Sequence, residues 1–475
     1  MKTEANSHKQ DYSSKEMKKQ RNLDRDSLDF GNGDIPKLFR ALFFPTLIGM
    51  VFNAVLTIID GIFVGQGVGA NGIAAVNIVA PLFMVITGIG LMFGIGSSVI
   101  ASIRLANNEI KAANIITTQA FLSGSVLTLL ISVPCLLFPS ATARFLGSSD
   151  VLLPHATDYL VWLIPGLIFL LIECIGMMLI RLDGSPRYAM WCNVVAATFN
   201  IVLDYTLVFP MGMGVKGAAI ATSMSCALGG LMVLFYFIRL SETLKFHRLK
   251  ASLTSLLLTL RNTLYMAKIG FAACLTELAM SVMMLTGNYV FITSLGENGV
   301  AAFSIACYLF PVIFSISNAV AQSAQPIISF NYGAGNSRRV AKSLKTSLIA
   351  AIISGSLVTI FVAVCASQIV AMFLSPSSQA YTIAIKGLPE FALCGIFFAL
   401  NIAFIGYYQS LEKAYRATIF TLLRGIVFIV PMFLFLPDVL GIAGMWLAIP
   451  ASESLTLLLI ITDYIFMRRH VAGGE

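Results

Sequence analysis

At 475 residues the chain is long enough for about three soluble domains of ~150 residues each, but its composition excludes them. Hydrophobic residues make up 57% and charged residues 11%, with a mean hydropathy of +0.86, whereas soluble domains carry roughly 25% charged residues. So few charges cannot cover a water-facing surface, and the bilayer must be the main solvent. The eight cysteines all lie inside apolar stretches, where they read as small membrane-core residues and not as a disulfide framework.

Residues 1–36 are polar and charged, with no apolar core or small-residue cleavage site before Leu38. They are expected to form a disordered cytoplasmic tail and not a signal peptide. Twelve apolar runs then follow, at about 38–64, 73–101, 115–138, 157–180, 190–208, 215–238, 269–293, 300–329, 348–373, 387–408, 417–436 and 443–466. Each is long enough to cross ~30 Å of hydrocarbon as a helix. Their length and continuity exclude a barrel, which would show ten-residue alternating segments.

Lysine and arginine set the expected orientation. The N-terminal segment to Arg40 carries nine, the C-terminal end two, and the loops after even-numbered spans sixteen. Loops after odd-numbered spans carry three, and Arg424 stands alone inside a span. The 27-to-3 division places both termini in the cytoplasm and makes the net charge of +8 a topology signal. No nucleic-acid partner is needed to explain it.

The chain also repeats itself. Slid by 227 residues, Gly69–Phe83 falls on Gly296–Phe310 with eight of fifteen positions identical. The same offset places Gly214, Gly217, Ala221 and Ser225 on Gly441, Gly444, Ala448 and Ser452. Six spans per half is an even number, so the halves share one orientation and are related by an axis along the membrane normal. The expected fold is an all-α polytopic membrane protein, twelve transmembrane helices in two six-helix bundles related by a parallel internal repeat. The bundles are expected at 37–238 and 269–466, with a short tail at 467–475. The cytoplasmic linker 239–268 mixes basic residues with LTSLLLTL, the pattern of an amphipathic helix on the inner surface.

Enzyme chemistry has few residues to work with. The four histidines lie in tails or loops, so no intramembrane metalloprotease or serine–histidine pair can be assembled. No Walker A motif occurs. Gly90 and Gly94 form a GxxxG, which reads as helix packing and not as a dinucleotide site. No enzyme, no resident metal and no cofactor are expected.

The deeply placed acids are Asp60, Glu173, Asp204, Glu277, Glu390 and Glu453. A carboxylate at the bilayer centre costs roughly 2.5–3.5 kcal/mol on insertion scales, so such residues face protein or a water-filled cavity. The repeat ranks them. Asp60 falls on Gly287, Asp204 on Pro431 and Thr222 on Ile449, so only the first half keeps these polar groups. Asn53 lies seven residues before Asp60, and Asn200 four before Asp204, which puts an amide on the face of each acid. A desolvated carboxylate beside an amide can take up and release a proton near neutral pH. Glu173 lies near Arg181, leaving an ion pair and a transport role both open, and Glu277 is a candidate to hold a cation. Arg424 is expected to pair with Glu390 or Glu453.

The run PTLIGMVFNAVLTIIDGIFVGQGVGANGIAAVNIVAP, with NIVLDYTLVF, GVKGAAIATSMS and AQPIISFNYGAGN in order behind it, resembles the multidrug and toxic compound extrusion (MATE) family. The likeness covers about 38–466 and is nearest to DinF-like and MepA-like bacterial members. It implies a multi-pass cell-membrane antiporter that exports amphipathic cationic drugs or dyes, driven by protons or sodium and working as a monomer. It also implies a first-half coupling site in which Asp60, Asn53, Asn200, Asp204 and Thr222 match the family's residues, with sodium as the alternative ion at Asp60, Asn200, Asp204 and Thr222. Tyr205 stands where many members have proline, Glu277 lies about one turn early, and the second-half span-ten acid is replaced by a stretch containing Lys413. These departures favour the first-half site. The alternative function is a flippase for a lipid-linked saccharide, against which Arg424, alone as a basic group within a span, supplies little positive charge.

Overall fold

The computed structural model describes residues 28–250 and 252–472, so residues 1–27 of the expected tail lie outside the described residues. Within 28–36, Phe30 and Ile35 are buried and the first helix begins at Ile35. Among the described residues there is no β-strand. Hydrocarbon offers no hydrogen bonds, and a helix satisfies its own backbone. Eleven helices are long and apolar enough to cross a membrane. One of them, Leu253–Gly333, has 81 residues, roughly 120 Å at 1.5 Å per residue, which no bilayer accommodates as one span. It breaks at Gly296, where φ is +63°, and so supplies two spans and brings the total to twelve.

In chain order the spans are α1 (Ile35–Val68), α2 (Ala70–Ala106), α3 (Ile110–Leu137), α4 (Leu153–Leu182), α5 (Pro186–Val208) and α6 (Gly214–Leu240). The second half holds α7 (253–295), α8 (297–333), α9 (Ser337–Val364), α10 (Gln379–Ser410), α11 (Ala414–Leu440) and α12 (Ile442–Ala472). The repeat is visible in the backbone. Gly69 and Gly296, one offset apart, have φ of +83° and +63°, and Gly214 and Gly441 have +58° and +62°. Each pair occupies the left-handed region that glycine enters without a Cβ penalty, and each turns the chain into a matching helix. The expected GxxxG also packs as read: a Cβ on Gly90 would lie 2.6 Å from Cys174 Cβ on α4.

The two halves are held together at the face that carries both chain ends. Ser98 Oγ donates to Gln325 Oε1 at 3.0 Å, and these residues are themselves 227 apart, so the pseudo-twofold axis passes between them. Arg181 Nη1 donates to Gln322 Oε1 at 2.6 Å, and Ser123 and Thr263 share a hydroxyl bond of 2.6 Å. Arg339 donates to the Gly33 carbonyl at 2.7 Å, tying the segment before α1 to the second half. Under this layer α2 and α7 touch backbone to backbone: a Cβ on Gly270 would lie 1.8 Å from Met92 O, and one on Gly96 2.1 Å from Met266 O.

The connection between halves differs from the expected separate helix. Residues 241–250 and Ser252 carry no helix, and the leucine-rich stretch begins α7 directly at Leu253. The connection is pinned by Asp183, whose carboxylate accepts the backbone N–H groups of Glu242, Thr243 and Leu244 at 3.3, 3.1 and 2.9 Å. Three donors satisfied by one turn acid leave the chain no reason to coil into a helix of its own.

Inside the second half, Arg424 Nε donates to Glu453 Oε1 at 3.1 Å, while Asn401 Nδ2 donates to Glu453 Oε2 at 2.7 Å. Glu453 is thus the partner of Arg424, in place of Glu390. The guanidinium also lies 4.2 Å from the Phe398 ring centre, a cation–π contact that offsets part of its desolvation. Their counterparts one offset earlier are Ala197, Cys226 and Cys174, so the charge cluster belongs to the second half alone.

Two outcomes test these contacts. Gly270→Val should push α2 from α7, cost about 1–3 kcal/mol by overpacking and lower the melting temperature in detergent. Arg424→Met, which strands the buried Glu453 charge, should cost about 3–5 kcal/mol. The double variant Arg424→Met/Glu453→Gln should recover most of that loss in the same melt.

Candidate functional site

The acids selected by burial and repeat asymmetry meet inside the first half. Asp60 on α1 and Asp204 on α5 bring their carboxyl groups within hydrogen-bonding reach of each other. Asp204 is 1% exposed, and neither residue forms an ion pair among the described residues. Both Asp204 oxygens and Asp60 Oδ1 receive no donor. Two acceptors therefore face each other with nothing positive between them. Like charges about 4 Å apart repel by about 4 kcal/mol at an effective dielectric of 20, so this arrangement needs a proton or a metal cation to be stable.

The surrounding groups suit either. Asn200, buried one turn before Asp204, has an Nδ2 without a partner. Thr222 on α6 donates to the Ala218 carbonyl at 3.0 Å, which leaves its oxygen lone pairs facing outward from the helix. Tyr159 on α4 joins them: it is buried, with its hydroxyl beside Thr222 and close to both aspartates. Sequence reasoning missed Tyr159 because a lone tyrosine in an apolar span carries no amphipathic or repeat signal beyond its counterpart, Lys386.

Asn53 is exposed on α1, two turns before Asp60 on the same helix face and about 10 Å along the axis at 1.5 Å per residue. Glu173 packs against Gly229 of α6, where an added Cβ would lie 2.5 Å from Glu173 Oε2. The ion pair left open for it does not form, because Arg181 is taken by Gln322. Glu277 lies between the halves, lining a cavity of about 30 Å³ with Asn318, Gln322, Gln325 and Gln409. That volume admits a single water-sized occupant.

The mirrored region of the second half is filled with rings. Gly287, the counterpart of Asp60, lies so close to Phe303 that a Cβ would meet its Cε1 at 2.4 Å. Phe303 stacks on Phe291 at 4.6 Å between centroids, and Phe433 and Trp446 close the cluster. The one charged cluster there, Arg424 with Glu453, neutralises itself. The two halves share a scaffold but differ in chemistry: only the first presents an uncompensated acid pair.

Comparison with known proteins agrees with this architecture. The MatE family profile matches residues 45–206 and 272–448, one stretch in each half. The multidrug export protein MepA of Staphylococcus haemolyticus is 25% identical over 430 residues, covering 90% of this chain and 93% of that protein. MepA of Staphylococcus aureus strain MRSA252 is 24% identical over 417 residues, covering 87% and 90%. Among solved structures, an outward-facing multidrug resistance MATE family transporter of the MOP superfamily superposes with a TM-score of 0.85 at 23% identity, over 93% of this chain and 97% of that one. MATE in its bent conformation gives 0.80, also at 23% identity, over 93% and 96%. With a family profile spread over both halves and relatives matched along nearly their full length, the chain belongs to the MatE family, the multidrug and toxic compound extrusion transporters.

Proposed function

We propose that this protein is a secondary multidrug exporter of the cell membrane, monomeric and with both termini cytoplasmic. It exchanges amphipathic organic cations for protons by alternating access. The observation that carries the reading is the facing pair Asp60 and Asp204, two carboxyl groups with no donor or cation among the described residues. One proton between them removes the repulsion and lets α1 and α5 pack. Loss of that proton restores a negative site that an organic cation can neutralise. Proton and drug therefore compete for the same charge, which is the requirement for exchange. The relatives named as multidrug export proteins support the substrate class. Twenty Met and 34 Phe give the chain ample soft apolar surface for such substrates. Sodium would use the same hard oxygens, and imposed gradients separate the two ions.

Asp60→Asn and Asp204→Asn should each insert and fold, because removing a buried charge adds no insertion cost. Dye transport by inverted vesicles under a proton gradient should nevertheless fall at least tenfold in both. Pro431→Ala, at the mirrored position, should retain transport within about twofold. Full proton-driven transport by both asparagine variants would refute the assignment and move it to Glu277. A sodium gradient that alone drives wild-type transport would replace the proton.

The orientation has its own check. A cysteine placed at residue 250 should resist membrane-impermeant maleimide in intact cells and react once the membrane is opened. Labelling from outside would reverse the topology.

A further inference from the structure

A second cavity, of about 1190 Å³, opens on the face that carries the chain ends, far from the acid pair. It is walled by the end of α2, the start of α3, residues 247–250 and Ser252 of the connection, and the first turns of α7. Six basic side chains line it: Arg104, Lys111, Arg248, Lys250, Arg261 and Lys268. Among its lining residues the only carboxylate is Glu412, from the α10–α11 turn. Arg104 is committed to Glu109 at 2.7 Å. The other five form no ion pair among the described residues.

Two further observations say what this charge is for. The cavity is amphipathic: Ile100, Ile103, Ile115, Ile116 and Leu258 form apolar wall beside the basic groups. On the same helix as Arg261 and Lys268, Leu253, Leu257, Leu260 and Leu264 are 74%, 58%, 56% and 63% exposed. Their spacing of four, three and four puts them on one helix face. A soluble anion would have no use for that ridge, whereas acyl chains would cover it. The connection is also fixed in place, with Lys245 N donating to Asn114 Oδ1 and His247 N to Thr118 Oγ1, both at 2.8 Å. The basic groups are thus held over the cavity and do not hang free in solvent.

We infer that this cavity binds an anionic phospholipid of the inner leaflet, its phosphodiester held by Lys111, Lys250, Arg261 and Lys268 and its chains along the isoleucine wall and leucine ridge. Basic pockets between helices at the cytoplasmic surface suit such headgroups, and arginine recognises phosphate oxygens in a bidentate manner. The wall comes from both halves, α2 and α3 on one side and α7 with Glu412 on the other. A headgroup seated there bridges the halves where Ser123 meets Thr263, and stabilises the state in which this face is closed. The binding claim stands apart from the transport reading; only the leaflet depends on the proposed orientation.

The test uses the full-length protein in neutral detergent, with phosphatidylglycerol, phosphatidylcholine and soluble glycerophosphoglycerol as probes. Native mass spectrometry should show phosphatidylglycerol retained on the wild-type chain at least tenfold more than phosphatidylcholine, and a thermal melt should rise with the former alone. The variant Lys250→Gln/Arg261→Gln/Lys268→Gln should lose that preference. A charge-matched control on the same face, Arg239→Gln/Arg338→Gln/Lys345→Gln, should keep it. Equal retention of the two lipids by the wild-type chain would overturn the proposal, whatever the variants do. So would an equal loss in the control, which would mean general surface charge. Displacement of the lipid by equimolar glycerophosphoglycerol would mean a soluble anion site instead.

Discussion

An unpaired backbone amide in hydrocarbon costs several kcal/mol, and an unpaired charge costs more, so the polar groups of these twelve helices are under pressure to find a partner. The backbone meets this constraint by helix formation alone. Most of the polar side chains named above meet it in one of two ways. Serines and threonines bond back to the preceding turn, as Thr276 does to Ala272. Arg424 and Glu453 satisfy each other, with Asn401 completing the acid's bonds. Asp60 and Asp204 do neither, which is what singles them out as the candidate site.

Duplication gives this arrangement its meaning. The same left-handed glycines start the corresponding helices of both halves, so backbone geometry is held constant while side chains diverge. At the place where one half puts Asp60, the other puts Gly287 under the face of Phe303. Dispersion and aromatic stacking replace electrostatics there in the second half. Its own charges are locked in a closed pair, which costs nothing more when a proton arrives or leaves elsewhere.

The joined face links the site to the membrane. Ser98 with Gln325, Arg181 with Gln322, and Ser123 with Thr263 are short polar bonds over a glycine-lined backbone contact. The seam is also apolar: Met92, Ile95 and Val99 of α2 share one buried cluster with Met266, Ile269 and Ile327 of the second half. Glu277 lies in the small cavity within it. The basic cavity lies at its rim, lined from both halves.

Length, hydropathy and charge placement determined from sequence alone that the chain is helical, crosses the membrane twelve times and repeats at 227 residues. Each of these is a property of one segment or of two aligned segments. Burial cost and repeat asymmetry likewise picked out Asp60, Asn200, Asp204 and Thr222, because an acid in an apolar run announces itself. What faces what was decided only by packing. Tyr159 gives no local sign yet lies close to both acids, and Arg181 takes Gln322, 141 residues away, and not nearby Glu173. Arg424 had two candidate partners in sequence and one in space. Periodicity fixes the face of a single helix, but the neighbour that face meets depends on how every other helix is placed, and that information exists only in the folded chain.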